Sequence, residues 1–387
     1  MRILFVSHVS ALGGGERSLL DLLACLDRQR FSTYVALPER GELSAALDDL
    51  DIPYDLCPDL RRFHRIHSVR DGWREGTSLV RGSLAVLTLV RRLSPDIVHA
   101  NSTSAALYAM LATSLTRRPL VWHLRDLTHL GALAAPLGRA SRHIIVPSQC
   151  CARRVPRQAA GKISVIPNGI CVDRFSTLEC DPIPADRLDG PLVISIGQLV
   201  GWKRVDVLIQ AAQQVRQQRP HVRFVHFGDD RFGDDPNASA RLQASIDAAG
   251  LSETFRLAGQ CHDIGAALAR ADVLAHAAYP EPFGRVVVEA MAAGKPVIAF
   301  AGDHGPAEII RDGIDGVLAT PRTADALAAA LVALLDQPDR ARSMGKEGQR
   351  RARSLYDRRL IAQRYADMYE SPLGPRQRVQ RETIMAP

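Results

Sequence analysis

Short runs of apolar residues alternate with longer stretches of helical periodicity along the whole chain. Residues 3–7, 34–37, 97–100, 120–123 and 144–147 read as buried strands in the first half, and 192–196, 223–227, 255–257, 273–275 and 296–300 in the second. Between them, 17–26, 102–114, 205–217, 238–249 and 324–335 carry apolar positions at helical spacing. Strands separated by helices predict parallel sheets covered on both faces, and two such sets predict an α/β chain of two Rossmann-like, doubly wound domains. The domains are placed at 1–185 and 186–355, with the break near Asp181–Gly190, where Pro182, Pro184 and Gly190 cluster. A last helical segment, 356–370, has no strand after it, and the Pro-, Arg- and Gln-rich tail 371–387 reads as disordered. In open sheets of this kind ligands sit beyond the carboxyl ends of the strands, so the loops that follow strands are where function is sought.

The loop and helix after residue 275 are the most informative. Glu281-Pro282-Phe283-Gly284-Arg285 opens a helix that is apolar on nearly every face, and Gly294-Lys295-Pro296 closes it. Glu289 is then a carboxylate inside a buried element, which is unfavourable unless something binds it. Glu281 stands at the mouth of the same helix, where backbone N–H groups and the helix dipole attract an anion. A helix N-terminus for phosphate with carboxylates on either side for hydroxyls describes a sugar-nucleotide site. The structural alternative pairs Glu289 with Arg285 one turn earlier, an arrangement that contributes only about 0.2–0.5 kcal/mol.

Three further loops carry candidate chemistry. After residue 196, Gly197-Gln198-Leu199-Val200-Gly201-Trp202-Lys203-Arg204 leads into a helix, and the Lys203 ammonium could meet a diphosphate there. Four of the 49 basic residues are lysine, so a compact cation is used at few positions in an arginine-dominated chain. Gly228 ends the next strand and is a turn or a close approach to a ligand. Near the start, Gly13-Gly14-Gly15-Glu16 precedes a helix and lets backbone N–H groups approach a phosphate or sugar, although the third glycine of GxGxxG and a P-loop lysine are both missing. His123 ends the 120–123 strand, where it could bond a sugar hydroxyl or the transition state, oriented by Arg125 or Asp126.

Composition narrows the rest. Residues 1–185 hold 23 Lys+Arg against 17 Asp+Glu, so nearly all of the net charge of +7 lies in the first half. The excess includes Arg61-Arg62-Phe63-His64-Arg65-Ile66-His67, with Arg70, Trp73 and Arg74 beyond, a mixture suited to an anionic membrane surface or to a solvated loop. No recognition motif accompanies the charge, so a nucleic-acid partner is not expected. No segment reaches the roughly 18–20 apolar residues that span a bilayer, and the opening run is too short for a signal peptide. Seven cysteines, scattered apart from the neighbours Cys150 and Cys151 and without a CxxC pair, read as free thiols in a reducing cytoplasm. The one DxD pattern, Asp49-Leu50-Asp51, sits in a polar helix-to-strand connection and reads as solvated, so a metal-independent mechanism is expected.

Together these residues resemble the retaining, nucleotide-sugar-dependent glycosyltransferases of family 4, which have the GT-B architecture of two domains facing across a cleft. The likeness runs through GGGE at 13–16, IPNGICVDRF at 166–175, GQLVGWKR at 197–204, EPFGRVVVEAMAAGKPVIA at 281–299 and GPAEIIRDGIDGVLA at 305–319. It implies that Glu289 binds the nucleotide ribose, that Glu281 with the backbone of Phe283 and Gly284 holds donor-sugar hydroxyls, and that Lys203 meets the diphosphate. It also implies that Gly14 and Gly15 face the phosphate–sugar region, that His123 meets the reacting sugar, and that the final helix returns to the N-terminal domain. Glu281, His123 and Lys203 are thus the expected catalytic residues, with no cofactor beyond the donor substrate and a glycan, lipid-linked or small-molecule acceptor. The family usually has arginine after the glycine of the 197 loop. Gln198 stands there instead, leaving Lys203 and the helix dipoles, or Arg204, to bind phosphate. A nucleotide-sugar epimerase on a similar scaffold and an inactive sugar-nucleotide-binding protein are the competing readings.

Overall fold

The structure, a computed structural model, describes residues 1–62, 69–127, 131–176, 190–230, 233, 235–261 and 263–371. The chain divides into two compact units, Met1–Gly169 with the chain from Arg358 on, and Ile170–Asp357. The terminal helix Arg358–Glu370 belongs to the first of these. The stretch Asp181–Gly190 falls, apart from Gly190, outside the described residues, as does the tail beyond Ser371.

The N-terminal unit is built on one parallel sheet of β1 (Arg2–Val6), β2 (Ser32–Leu37), β3 (Tyr54–Leu56), β4 (Ile97–Ala100), β5 (Leu120–His123), β6 (Ser141–Val146) and β7 (Ile163–Val165), in the order β3-β2-β1-β4-β5-β6-β7. The C-terminal unit holds a second parallel sheet of β8 (Leu192–Ile196), β9 (Arg223–Phe227), β10 (Phe255–Leu257), β11 (Val273–His276), β12 (Val297–Phe300) and β13 (Val317–Ala319), in the order β10-β9-β8-β11-β12-β13. Each sheet is covered on both faces, as continuous apolar strands require. In β1, Ile3 and Phe5 face Leu19 and Leu22 of the helix Gly14–Leu23 and Tyr365 and Tyr369 of the terminal helix. Leu4 and Val6 face the opposite core, with Val86 and Tyr108. The alternation along the strand sorts these four apolar side chains between two helical layers.

The strand order reverses between β1 and β4 in the first sheet and between β8 and β11 in the second. At such a reversal the loops leaving the two central strands turn to opposite faces and open a crevice at the carboxyl edge. In the C-terminal unit those loops are the ones that carry Lys203 after β8 and Glu281 after β11. In the N-terminal unit they carry the Gly13–Glu16 turn after β1 and Asn101 and Ser102 after β4.

Candidate functional site

Within the C-terminal unit the two switch-point loops meet. The Lys203 ammonium donates to Oε2 of Glu281 at 2.6 Å, and both side chains are largely buried. Lys203 ends the short turn Gly201–Lys203, and Arg204, with left-handed backbone at φ 52°, begins the helix Val205–Gln218. The ammonium lies 4.2 Å from the centroid of the Trp202 ring, and its stem runs against Gly197, so its reach is confined on two sides. Burial pushes the Glu281 carboxyl up, but Lys203 and His276 outweigh it and hold the pKa down at about 2. The pair is therefore a charge-assisted hydrogen bond between an ammonium and a carboxylate. The second oxygen, Oε1, has no hydrogen-bond partner among the described residues.

The helix expected from the sequence spans Arg285–Ala292, with Val286 through Ala292 buried. Gly284 caps it at φ 89°, a left-handed conformation in which a side chain would be strained, and a Cβ there would press on Pro306 at 3.0 Å. Phe283 is buried against Tyr356 in an edge-to-face ring pair. Gly305 packs so closely on the Phe283 backbone that a Cβ would lie 2.3 Å from its Cα, and the Gly305 N–H donates to the Glu281 carbonyl at 2.8 Å. These contacts fix the turn that presents Glu281. Glu289 is buried and accepts from Arg285 at 2.7 Å, so the structural pairing admitted above is formed. Only Oε1 is engaged by it, and Oε2 has no hydrogen-bond partner among the described residues.

Two donor-side expectations take a different form in space. Gly228, at φ 152°, lies against the neighbouring strand end, where a Cβ would sit 1.7 Å from the Gly197 carbonyl oxygen. Its first requirement is this backbone approach. The Arg204 guanidinium lies 5.2 Å from the centroid of the Phe300 ring and donates to the Arg322 carbonyl, so it is engaged within the unit.

In the N-terminal unit the Gly13–Glu16 turn opens the helix Gly14–Leu23, with Glu16 accepting from the Gly13 N–H at 3.2 Å. Burial raises the Glu16 pKa. Gly15 rests on the Arg125 side chain, 3.2 Å from where its Cβ would lie. Arg125 in turn donates to Asn101 and to Asn168, and Asn168 also accepts from Ser18. His123 is wholly buried at the end of β5 and shares a 3.3 Å hydrogen bond through Nδ1 with Tyr365 of the terminal helix. Its Nε2 has no partner among the described residues, nor has Nδ2 of Asn101. Burial, then Arg125 and His99, hold its pKa well below the usual histidine value. Beyond Arg62 the basic stretch 61–67 lies outside the described residues, as do the side chains of residues 69–74. Asp49 and Asp51 are exposed at the end of the helix Glu42–Asp49.

Sequence reasoning missed His276, whose Nε2 lies 3.5 Å from Glu281 Oε2, and the Asn101–Arg125–Asn168 network. The rule that singled out His123, a histidine ending a core strand, applies equally to His276.

Two doubly wound parallel sheets, with charged side chains gathered at the switch point of the second, define a GT-B glycosyltransferase fold. Family models agree over nearly the whole chain. Glycosyltransferase Family 4 matches residues 12–174, and Glycosyl transferases group 1 matches residues 181–351. A phosphatidyl-myo-inositol mannosyltransferase of Mycobacterium tuberculosis is 30% identical over 309 residues, covering 74% of this chain and 76% of that protein. An exopolysaccharide phosphotransferase of Streptomyces coelicolor is 34% identical over 191 residues, 49% of this chain but only 19% of that longer protein. Among solved structures, Anabaena HepE in complex with UDP and glucose superposes with a TM-score of 0.80 at 26% identity, covering 96% of this chain and 100% of that one. The same protein has been solved with UDP-glucose. The chain belongs to glycosyltransferase family 4.

Proposed function

We propose that the protein is a retaining, metal-independent glycosyltransferase that moves a hexosyl sugar from a nucleoside-diphosphate sugar to a glycan or lipid-linked acceptor in polysaccharide or glycolipid biosynthesis. The observation that carries this reading is the buried Lys203–Glu281 pair at the switch point of the second sheet. An ammonium held ready beside a helix N-terminus is placed to take up the negative charge of a departing diphosphate. In the resting protein Glu281 satisfies that ammonium. When a diphosphate draws Lys203 away, Glu281 is left as an ionised acceptor for sugar hydroxyls, with Oε1 already open. Glu289 Oε2 is available to a ribose hydroxyl in the same way. His123, with its neutral ring and unpartnered Nε2, is assigned to the reacting sugar, and Gly14 and Gly15 to the phosphate–sugar region.

No covalent nucleophile is assigned. Retention is ascribed, by family likeness, to attack from the face the diphosphate leaves, with a leaving phosphate oxygen taking the acceptor proton. No group of three or more His, Cys, Asp or Glu among the described residues lies close enough to hold a metal ion. Lys203 is the cation the reaction is built on. UDP-glucose, the ligand of HepE, is the first donor to try. The mannosyltransferase relative points to lipid-linked acceptors, and a peripheral membrane contact through the basic N-terminal unit of a cytoplasmic enzyme suits them. No helix of the described residues is long and apolar enough to cross a membrane.

The test is direct. Lys203→Ala and Glu281→Ala should each lower transfer by on the order of 10²–10³-fold while circular dichroism and melting remain those of a folded protein. Wild-type turnover in either folded variant defeats the assignment. Product analysis with and without acceptor separates transfer from epimerisation of the donor.

A further inference from the structure

His276 closes β11, and its three strand neighbours, Val273, Leu274 and Ala275, are apolar and buried. The imidazole is itself only 2% exposed. An aliphatic side chain would fill such a position without stripping water from two ring nitrogens. Nε2 points at Oε2 of Glu281 from 3.5 Å and has no closer polar partner among the described residues. Oε2 is the oxygen that also accepts from Lys203, so one carboxylate atom stands between an ammonium and an imidazole.

We propose that His276 is a positioning residue of the donor site, whose Nε2–H holds the Glu281 carboxylate in place when Lys203 turns from it to the donor diphosphate. The inference rests on the reading of Lys203 and Glu281 given above. A carboxylate only accepts hydrogen bonds, so the ring nitrogen that faces it must carry the hydrogen, which sets the tautomer. While Lys203 holds Oε2 at 2.6 Å the imidazole contact is at the long limit of hydrogen bonding. Once the ammonium leaves, the imidazole is the donor that remains. Without it, Glu281 would lose both donors in a buried setting as the substrate arrives, and its ionised form would be disfavoured.

The charged and titratable groups that act on His276 are Glu281 and Lys203, and His276 in turn acts on His304. His304 is buried and bonded through Nε2 to the Phe300 carbonyl at 2.6 Å. Burial lowers the pKa of both histidines. His276 therefore acts as a neutral donor near pH 7.

Nitrogen-15 histidine spectra of the whole protein, with His276→Gln to assign the resonance, read the tautomer without any ligand. The expected form is Nε2–H, and an Nδ1–H form overturns the proposal. Kinetics supply the second arm, using UDP release from UDP-glucose and UDP binding by calorimetry. His276→Leu should lower kcat tenfold or more with the Kd for UDP unchanged, and should move the acid limb of kcat to higher pH. His276→Gln, whose amide N–H reaches the same place, should restore both. A His276→Leu variant with the wild-type rate and pH profile overturns the proposal, as does a folded His276→Gln no better than leucine. Lys203→Ala and Glu281→Ala run alongside. If those keep wild-type turnover, the donor-site reading falls. If they lose it while His276→Leu does not, only the role of His276 falls.

Discussion

Lys203 and Glu281 stand 78 positions apart in the chain and 2.6 Å apart in space. Each was recognisable as chemistry from its neighbours, a cation before one helix and a carboxylate before another. That they neutralise one another in the resting protein was not, because strand order decides which loops adjoin. The pairing has a measurable signature. Glu281 is held at about 2 against an ordinary value of 4.5, so it contributes stability that is complete above pH 4.5 and lost as pH falls towards 2. Glu281→Gln should therefore flatten the dependence of unfolding free energy on pH in that window. Urea titrations at several pH values check this, and an unchanged slope would mean the carboxylate is not stabilised by its neighbours. Glu289 shows the opposite limit of sequence reading. Its burial in an apolar helix was evident from pattern alone, but the same pattern admitted both a ligand role and the Arg285 pair. The pair is formed, and it leaves one oxygen over.

At the scale of elements, an unbroken apolar run is not what decides which strands are legible in the sequence, since β9 and the edge strand β10 are legible although Arg223, His226 and Arg256 interrupt them. The edge strands β3, β7 and β13 are three residues each and partly exposed, and in β3 and β7 Asp55 and Ser164 interrupt the apolar residues. The helix Val69–Leu93, which precedes β4, was hidden by its glycines and arginines, although it supplies Val86 and Val90 to the core. The terminal helix was visible, but what it does was not. It lays Tyr365 and Tyr369 over β4 and β5, and their hydroxyls take the Nδ1 atoms of His123 and His99, the latter at 2.6 Å. The last element of the described residues thereby orients a histidine assigned to the reaction. Tyr369→Phe leaves the buried His99 Nδ1 without that partner and should cost about 1–3 kcal/mol of stability, measured by chemical denaturation. A loss no larger than that from a surface Tyr→Phe would show that the hydroxyl contributes nothing there.

At the scale of the whole molecule, the buried histidines act together. Burial lowers the pKa of His226, opposed by the Gly197 carbonyl, to about 4, and burial holds His99 and His123 well below 6.5. A histidine whose folded value is depressed favours the folded state above its unfolded pKa and withdraws that support as pH falls. The melting temperature should accordingly decline between about pH 6.5 and pH 4. His226→Gln should remove its share of the decline. A flat profile over this range would contradict the burial of these rings.

The C-terminal unit is a single uninterrupted segment set between two parts of the other. Its two ends are held side by side, since Ile170 and Asp357 form a backbone bridge and the Ile170 N–H donates to the Tyr356 carbonyl at 2.9 Å. A segment whose ends meet can be lifted out or replaced without stretching what remains. Residues 170–357, expressed alone, should fold and bind UDP, and calorimetry on that fragment decides it. If they do, the chain is built as a cassette in a holder. The segment that carries Lys203, Glu281 and Glu289 could then be exchanged between relatives by cutting at two neighbouring points, with the turn of Gly14 and Gly15 left in the holder.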